Sequence, residues 1–150
     1  MQSDTLTQAV AELSKELTIS PPEPAADGSV TFTFSNDLAL TCFTRNGALY
    51  LKGLVAHLPH LSLSQLQIQA LYKRLLQTSL GIMKESAVSL CLTPDEKDII
   101  LYRRIIPCMH KRVSIVDAAE EFLNRLEMLR AKTTAPQYSR PPDQIMFMRP

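Results

Sequence analysis

Apolar and polar positions in the first third of the chain follow a helical period and then a strand period. The spacing predicts an amphipathic helix over residues 4–18, because its apolar side chains recur every three or four positions. These positions are Leu6, Val10, Leu13 and Leu17. Residues 30–34 instead alternate apolar side chains with threonine, which is typical of a strand. Two further strands over 38–44 and 48–55, joined at Asn46-Gly47, complete a predicted antiparallel meander.

A long apolar segment in the middle of the chain predicts the second helix. Ser62 and Gln65 match the capping box that begins a helix, and Gly81 is placed to end it. The leucine and isoleucine side chains between them lie on more than one side of the helix. Because such a helix buries more than one side, we expect one side to pack in its own domain and another against a second subunit.

The remaining elements are a second hairpin and a closing helix. Strands are predicted over residues 87–92 and 99–106, with a polar loop between them. Ser114 then caps a helix that ends at Ala135-Pro136. The order α-β-β-β-α-β-β-α predicts an α+β fold, in which a five-stranded, twisted antiparallel sheet carries three helices.

Length and charge narrow the classes of protein to which this sequence can belong. The 150 residues predict one domain over 1–135, followed by a Pro-rich tail over 136–150 that we expect to be disordered. The whole chain has 16 basic and 15 acidic side chains, which give a net charge of +1. It therefore lacks the basic excess that is typical of nucleic-acid-binding proteins. We find no apolar run of about 18 residues, and the first residues lack the features of a secretory signal, so no membrane insertion is expected. The widely spaced cysteines are typical of reduced thiols in a cytosol; they are Cys42, Cys91 and Cys108.

The side chains that usually carry catalysis or bind metals are scattered along the sequence. His57 and His60 have a spacing that a helix can use for metal binding, but Pro59 between them favours a surface loop. Cys108 and His110 lie two positions apart, which is a weak arrangement for nucleophilic catalysis. None of the four glycines belongs to a phosphate-binding loop. We therefore expect no enzyme activity, no cofactor and no metal site.

An acidic segment, a basic run and an apolar segment each allow two interpretations. The acidic segment 95–98 could bind calcium, but it lacks the spacing of an EF-hand and is interpreted as a solvated hairpin loop. A basic run could contact nucleic acid, although its first two arginines point to opposite faces of the predicted strand and we expect no such partner. The run comprises Arg103, Arg104, Lys111 and Arg112. The apolar segment 145–148 could dock on the domain or on a partner, or have no role.

Three stretches resemble the class I type III secretion chaperones, the Tir-chaperone-like family. The stretch SVTFTFSNDLALTCFTRNGALYLKGLVAHLP resembles the family's opening meander. Its second helix and following hairpin are similar to QIQALYKRLLQTSLGIMKESAVSLCLTPDEKDIILYRRI, and its closing helix to SIVDAAEEFLNRLEMLRA. The resemblance covers about residues 4–132 and lies in the order of elements and the apolar positions rather than in an invariant motif.

The resemblance implies a homodimer in the bacterial cytoplasm, with the second helix and the fourth strand at the two-fold axis. The side chains expected at this interface are Leu66, Ala70, Leu71, Arg74, Val88, Leu90 and Leu92. It also implies binding of the N-terminal segment of a secreted effector, which the chaperone keeps partly unfolded and directs to the secretion apparatus. The secretion ATPase is a further candidate partner, and the chaperone itself hydrolyses no ATP.

The first strand suits such binding physically, because a strand at the edge of a sheet offers unpaired backbone groups to an incoming strand. The side chains expected to bind the effector lie on this strand and on the first helix: Leu13, Leu17, Val30, Phe32 and Phe34. The alternative interpretation is that these apolar side chains belong to the core. An alternative function is a different α+β interaction module, such as an adaptor or a regulatory subunit, with a folded partner.

Overall fold

The computed structural model describes residues 2–85, 87–105 and 114–134. Four helices and five strands form within these residues, with one short 3-10 turn at Ser35–Asp37. The helices are α1 (Gln2–Leu17), α2 (Leu58–Leu61), α3 (Gln65–Met83) and α4 (Ile115–Thr134). The strands are β1 (Val30–Thr33), β2 (Ala39–Arg45), β3 (Ala48–His57), β4 (Val88–Leu92) and β5 (Asp98–Ile105).

All five strands join one antiparallel sheet in the order β1-β2-β3-β5-β4. The turn between β2 and β3 falls at Asn46-Gly47, where both residues have positive φ (52° and 77°). Glycine and asparagine tolerate this conformation, which explains why the sequence marks the hairpin so clearly. The predicted α+β fold with a five-stranded antiparallel sheet is confirmed. Three of the helices, α1, α3 and α4, are those predicted from the sequence.

One side of the sheet forms the core, because α1 and α4 pack there against alternate strand residues. Phe32 of β1 and Leu51 of β3 are completely or almost completely buried on this side, as are Phe122 and Leu126 of α4. Helix α4 passes very close to the backbone of β3, where a Cβ atom on Gly53 would lie 2.4 Å from the Leu126 side chain. The glycine is therefore needed for the contact between this strand and this helix.

The start of α3 differs from the prediction by two residues. Ser64, not Ser62, is the N-cap: its hydroxyl accepts a hydrogen bond from the Gln67 amide, and the Gln67 side chain accepts one from the Ser64 amide. Ser62 has a left-handed backbone (φ 50°) because it ends the preceding helix α2. The surface loop expected around Pro59 is thus a short helix, because proline fits the first turn of a helix, where its missing N–H is not needed.

Two other boundaries also depart from the sequence-based expectation. Helix α3 continues past Gly81 to Met83, since Ile82 is buried and its packing stabilises the last turn. The turn expected at Asn36-Asp37 is the 3-10 turn Ser35–Asp37. Several expectations fall outside the described residues: the Cys108–His110 pair, the basic residues Lys111 and Arg112, the last residue of strand 99–106, and the tail 136–150 with its apolar segment 145–148.

Candidate functional site

A groove opens between α1, the end of β1 and the first half of α4. Its cavity has a volume of about 260 Å³. We call it the α1–α4 groove, and the side chains that line it are Leu13, Glu16, Leu17, Phe32, Phe34, Leu40, Val116, Ala119, Glu120, Leu123 and Asn124. Most of these are apolar, so the groove can accept apolar side chains of another polypeptide.

Four of the five side chains expected to bind an effector line this groove. Phe32 and Leu13 are almost fully buried and form its floor, whereas Leu17 is 39% exposed and Phe34 is half-buried at its rim. Val30 does not line it and is a core residue instead, because it lies at the other end of β1, opposite Cys42. Burial therefore supports the core interpretation for Val30, whereas Phe32 and Phe34 both line the groove.

The α4 wall of the groove was missed in the sequence. Val116, Ala119 and Leu123 are spaced three and four residues apart on one side of α4 and line the cavity. None of these three side chains is among those expected to bind an effector, because the sequence alone does not show that α4 lies beside β1. Glu16 and Glu120 add carboxylates to the lining, which contains no basic side chain.

Strand β1 forms one edge of the sheet and pairs only with β2. Its other side therefore offers backbone N–H and C=O groups to an added strand. Since Phe32 and Phe34 lie at the groove and on or next to this strand, a polypeptide could add to the edge and place side chains in the cavity together.

A second apolar surface lies on α3 and β4. Several large apolar side chains are exposed there: Leu66 (78%), Leu76 (63%), Leu80 (66%), Met83 (56%) and Leu92 (38%). A cavity of about 240 Å³ separates helix from strand, and it is lined by Tyr72, Leu75, Leu76, Leu90, Cys91, Leu92 and Ile99. We call this area the α3–β4 surface. Exposed apolar patches of this kind mark interaction sites.

The side chains expected at a dimer interface divide between this surface and the core. Leu66, Ala70 and Leu92 are exposed, and Leu90 is half-buried beside the cavity. Leu71 and Val88 are only 0% and 3% exposed, so they cannot face a second subunit as expected. Arg74 is exposed but donates a hydrogen bond to the Lys132 carbonyl of α4.

The helical period explains why Leu71 was misassigned. Because α3 is apolar on two sides, its pattern alone does not show which side turns inward. The inward stripe contains Leu71, Leu75, Ser79 and Ile82. The outward side contains Leu76, Leu80 and Met83, which were not among the expected interface residues although their apolar character was visible in the sequence.

A histidine–carboxylate pair joins the end of β3 to the start of β5. His57 Nδ1 lies 2.5 Å from the Asp98 carboxylate, and the His60 ring packs edge-on against His57 with centroids 4.3 Å apart. No group of three or more potential metal ligands occurs in the part of the chain that the structure describes. Burial raises the pKa of the Cys42 thiol to about 12 and also raises that of Cys91, which disfavours the reactive thiolate.

Within the residues that the structure describes, none of the helices combines the length and apolarity required to cross a bilayer.

A model of the Tir chaperone protein (CesT) family matches residues 8–130 of the chain, which include the α1–α4 groove and the α3–β4 surface. The chain belongs to this family. Its members are classed as chaperones, which agrees with the two apolar surfaces described above. A sequence search of curated proteins finds no match to this chain.

Solved structures share the fold of this family member. A chain of the HopA1–SchA chaperone–effector complex is 18% identical, with a TM-score of 0.64 over 85% of this chain and 94% of that one. The ExoU–SpcU complex from the type III secretion system of Pseudomonas aeruginosa gives 14% identity and a TM-score of 0.57, covering 83% and 93%. The structure of the Yersinia pestis type III secretion chaperone SycH in complex with a fragment of YscM2 gives 13% identity and a TM-score of 0.54. The match covers 83% of this chain and 98% of that one.

Proposed function

We propose that the protein is a type III secretion chaperone that binds the N-terminal segment of a secreted effector in extended form. The family assignment supports this function, and so does the fold shared with a chain of the HopA1–SchA chaperone–effector complex. The observation that carries the proposal is the position of the α1–α4 groove directly beside the free edge of β1.

Binding uses two kinds of contact at this place. An effector segment that adds to β1 satisfies the backbone groups of the edge strand, and its alternate side chains enter the groove. Burial of one leucine-sized side chain contributes about 1.5–3 kcal/mol, so a few such anchors give useful affinity without a folded effector. The carboxylates of Glu16 and Glu120 favour a basic residue next to the apolar anchors.

The chaperone works as a homodimer in the bacterial cytoplasm and has no catalytic activity of its own. The α3–β4 surface supports this arrangement, because several exposed leucines there need a partner to remove them from water. A second copy of the same surface is self-complementary in a two-fold dimer. Delivery to the secretion apparatus, with the secretion ATPase as a candidate partner, completes the proposed role.

Groove variants test the proposal with a secreted protein encoded beside this gene. The full-length chaperone is co-expressed with that protein and purified through a tag on the chaperone, and the bound N-terminal segment is identified by mass spectrometry. We expect Leu123→Asp to reduce recovery at least about tenfold, because a charge in the apolar groove is poorly solvated. Ile19→Asp, at a 48% exposed position that does not line the groove, is the matched control and should leave recovery unchanged. Equal recovery with both variants would contradict the groove assignment.

A further inference from the structure

The side of the sheet opposite α1 and α4 carries basic and aromatic side chains. Leu51 of β3 is fully buried on the helix side, so its neighbours Tyr50 and Lys52 point to the opposite side. Tyr50 lies in register between Phe43 of β2 and Arg104 of β5. We call this side of the sheet the open face, since these four side chains are half-buried or exposed.

The open face contains a hollow of about 590 Å³. We call it the open-face hollow, and the side chains that matter for its chemistry are Phe43, Arg45, Tyr50, Ser89, Tyr102 and Arg104. The rings of Phe43 and Tyr50 stack with centroids 5.2 Å apart and form a flat apolar wall. Around this wall the two guanidinium groups and the tyrosine and serine hydroxyls offer hydrogen-bond donors.

The open face is positively charged, because few acidic side chains lie near its basic ones. Asp98 is the one acidic side chain among the strands; it lies at the far end of β5, about 20 Å from Arg104 by strand rise, and pairs with His57. Lys52 lies near Asp27, whose pKa is lowered mainly by hydrogen bonds from Ser29 and to a smaller extent by this lysine. The ion pairs found in the described residues include neither Arg45 nor Arg104.

We propose that the open-face hollow binds an acidic, extended polypeptide segment of a partner protein. Arginine presents a planar fork of donors that matches a carboxylate. Arg45 and Arg104 stand on β2 and β5, which are separated by β3. Arg45 is in register with Ala48 and Arg104 with Tyr50, two residues further along β3, so their backbones are about 12 Å apart. Acidic side chains at alternate positions of an extended segment, about 6–7 Å apart, reach both long arginine side chains while the backbone lies over the rings.

The arrangement of the rings favours a polypeptide over a single-stranded nucleic acid. Binding of bases needs aromatic faces that are free to stack. The planes of Phe43 and Tyr50 are inclined by only 9°, so each ring already covers one face of the other. The hollow lies on the other side of the sheet from the α1–α4 groove, so this site goes beyond the proposed function and does not depend on it.

Fluorescence anisotropy with a labelled glutamate–serine repeat peptide tests the site on the full-length protein. We expect the peptide to bind the wild-type protein, and its affinity to fall as salt screens the charges. The variant Arg45→Glu/Arg104→Glu should weaken binding at least about tenfold, since each lost charge-assisted contact is worth about that factor. Should the double charge reversal fold poorly, Arg45→Ala/Arg104→Ala should give a loss in the same direction.

A charge-matched control separates a local site from the effect of net charge. Lys84→Glu/Lys97→Glu changes the net charge by the same amount at two exposed positions outside the hollow, and it should leave peptide binding unchanged. The groove variant Leu123→Asp should also bind the peptide normally, which separates this site from effector binding. The proposal is overturned if wild-type protein does not bind the peptide, if the lysine control loses as much affinity, or if an oligothymidylate of equal charge binds more tightly.

Discussion

Gly53 and Gly81 show at the level of single residues how packing decides the role of a glycine. Gly53 lies in β3 with the Leu126 side chain of α4 directly above it, and Leu126 itself is completely buried. Gly81 lies in the last turn of α3, is exposed, and has open space where a Cβ would be. This difference in surroundings is not visible in the sequence, because both glycines stand in apolar segments that predict regular structure.

Substitution by alanine should therefore have opposite effects at these two positions. Gly53→Ala places a methyl group against Leu126 in a filled core, and overpacking of this kind costs about 1–3 kcal/mol. Gly81→Ala removes the entropic cost of glycine in a helix and should gain up to about 1 kcal/mol. Thermal denaturation followed by circular dichroism measures both. A neutral Gly53→Ala would mean that α4 and β3 are further apart than described.

At the scale of elements, short-range signals were read correctly where the backbone itself demands a residue type. Asn46-Gly47 fixed the β2–β3 hairpin because both residues adopt positive φ. The strand pattern of residues 30–34 gave β1, but only the packing of α1 and α4 decides that Val30 is core and Phe34 lies at the groove. The capping box shifted because Ser62 and Ser64 are chemically equal candidates, and the unforeseen helix α2 uses Ser62 to end.

The two serines before α3 give a test of this assignment. Ser64→Ala removes the acceptor for the Gln67 amide and should cost about 1 kcal/mol of unfolding free energy. Ser62→Gly should be neutral or slightly stabilising, because glycine adopts the left-handed conformation (φ 50°) without strain. Urea denaturation of both variants is the measurement. The reverse order of stabilities would restore Ser62 as the cap.

At the scale of the whole molecule, the three apolar areas differ in what covers them. The helix side of the sheet is covered by the chain itself, whereas the α1–α4 groove and the α3–β4 surface remain accessible. The sequence predicts that α3 is apolar on two sides, but it does not show which side faces the core. That choice depends on the contacts that α3 makes with β4 and α4, which the period of α3 itself does not encode.

The proposed homodimer leads to a prediction that separates the two sides of α3. Leu76→Asp/Leu80→Asp alters side chains that are 63% and 66% exposed in the protomer, so the fold should persist while the interface is lost. Light scattering should then give the monomer mass of 16.8 kDa instead of about twice that value. Leu71→Asp should instead abolish folding, because it buries a charge at a position with 0% exposure.

Leu54→Asp supplies the control for this experiment, since Leu54 is also exposed (49%) but lies on β3 rather than on α3 or β4. It should keep the dimer mass and the circular dichroism spectrum of the wild-type protein. If Leu76→Asp/Leu80→Asp also keeps the dimer mass, the exposed leucines of α3 are not the interface. The subunits would then have to meet elsewhere, and the α3–β4 surface would be available to a different partner.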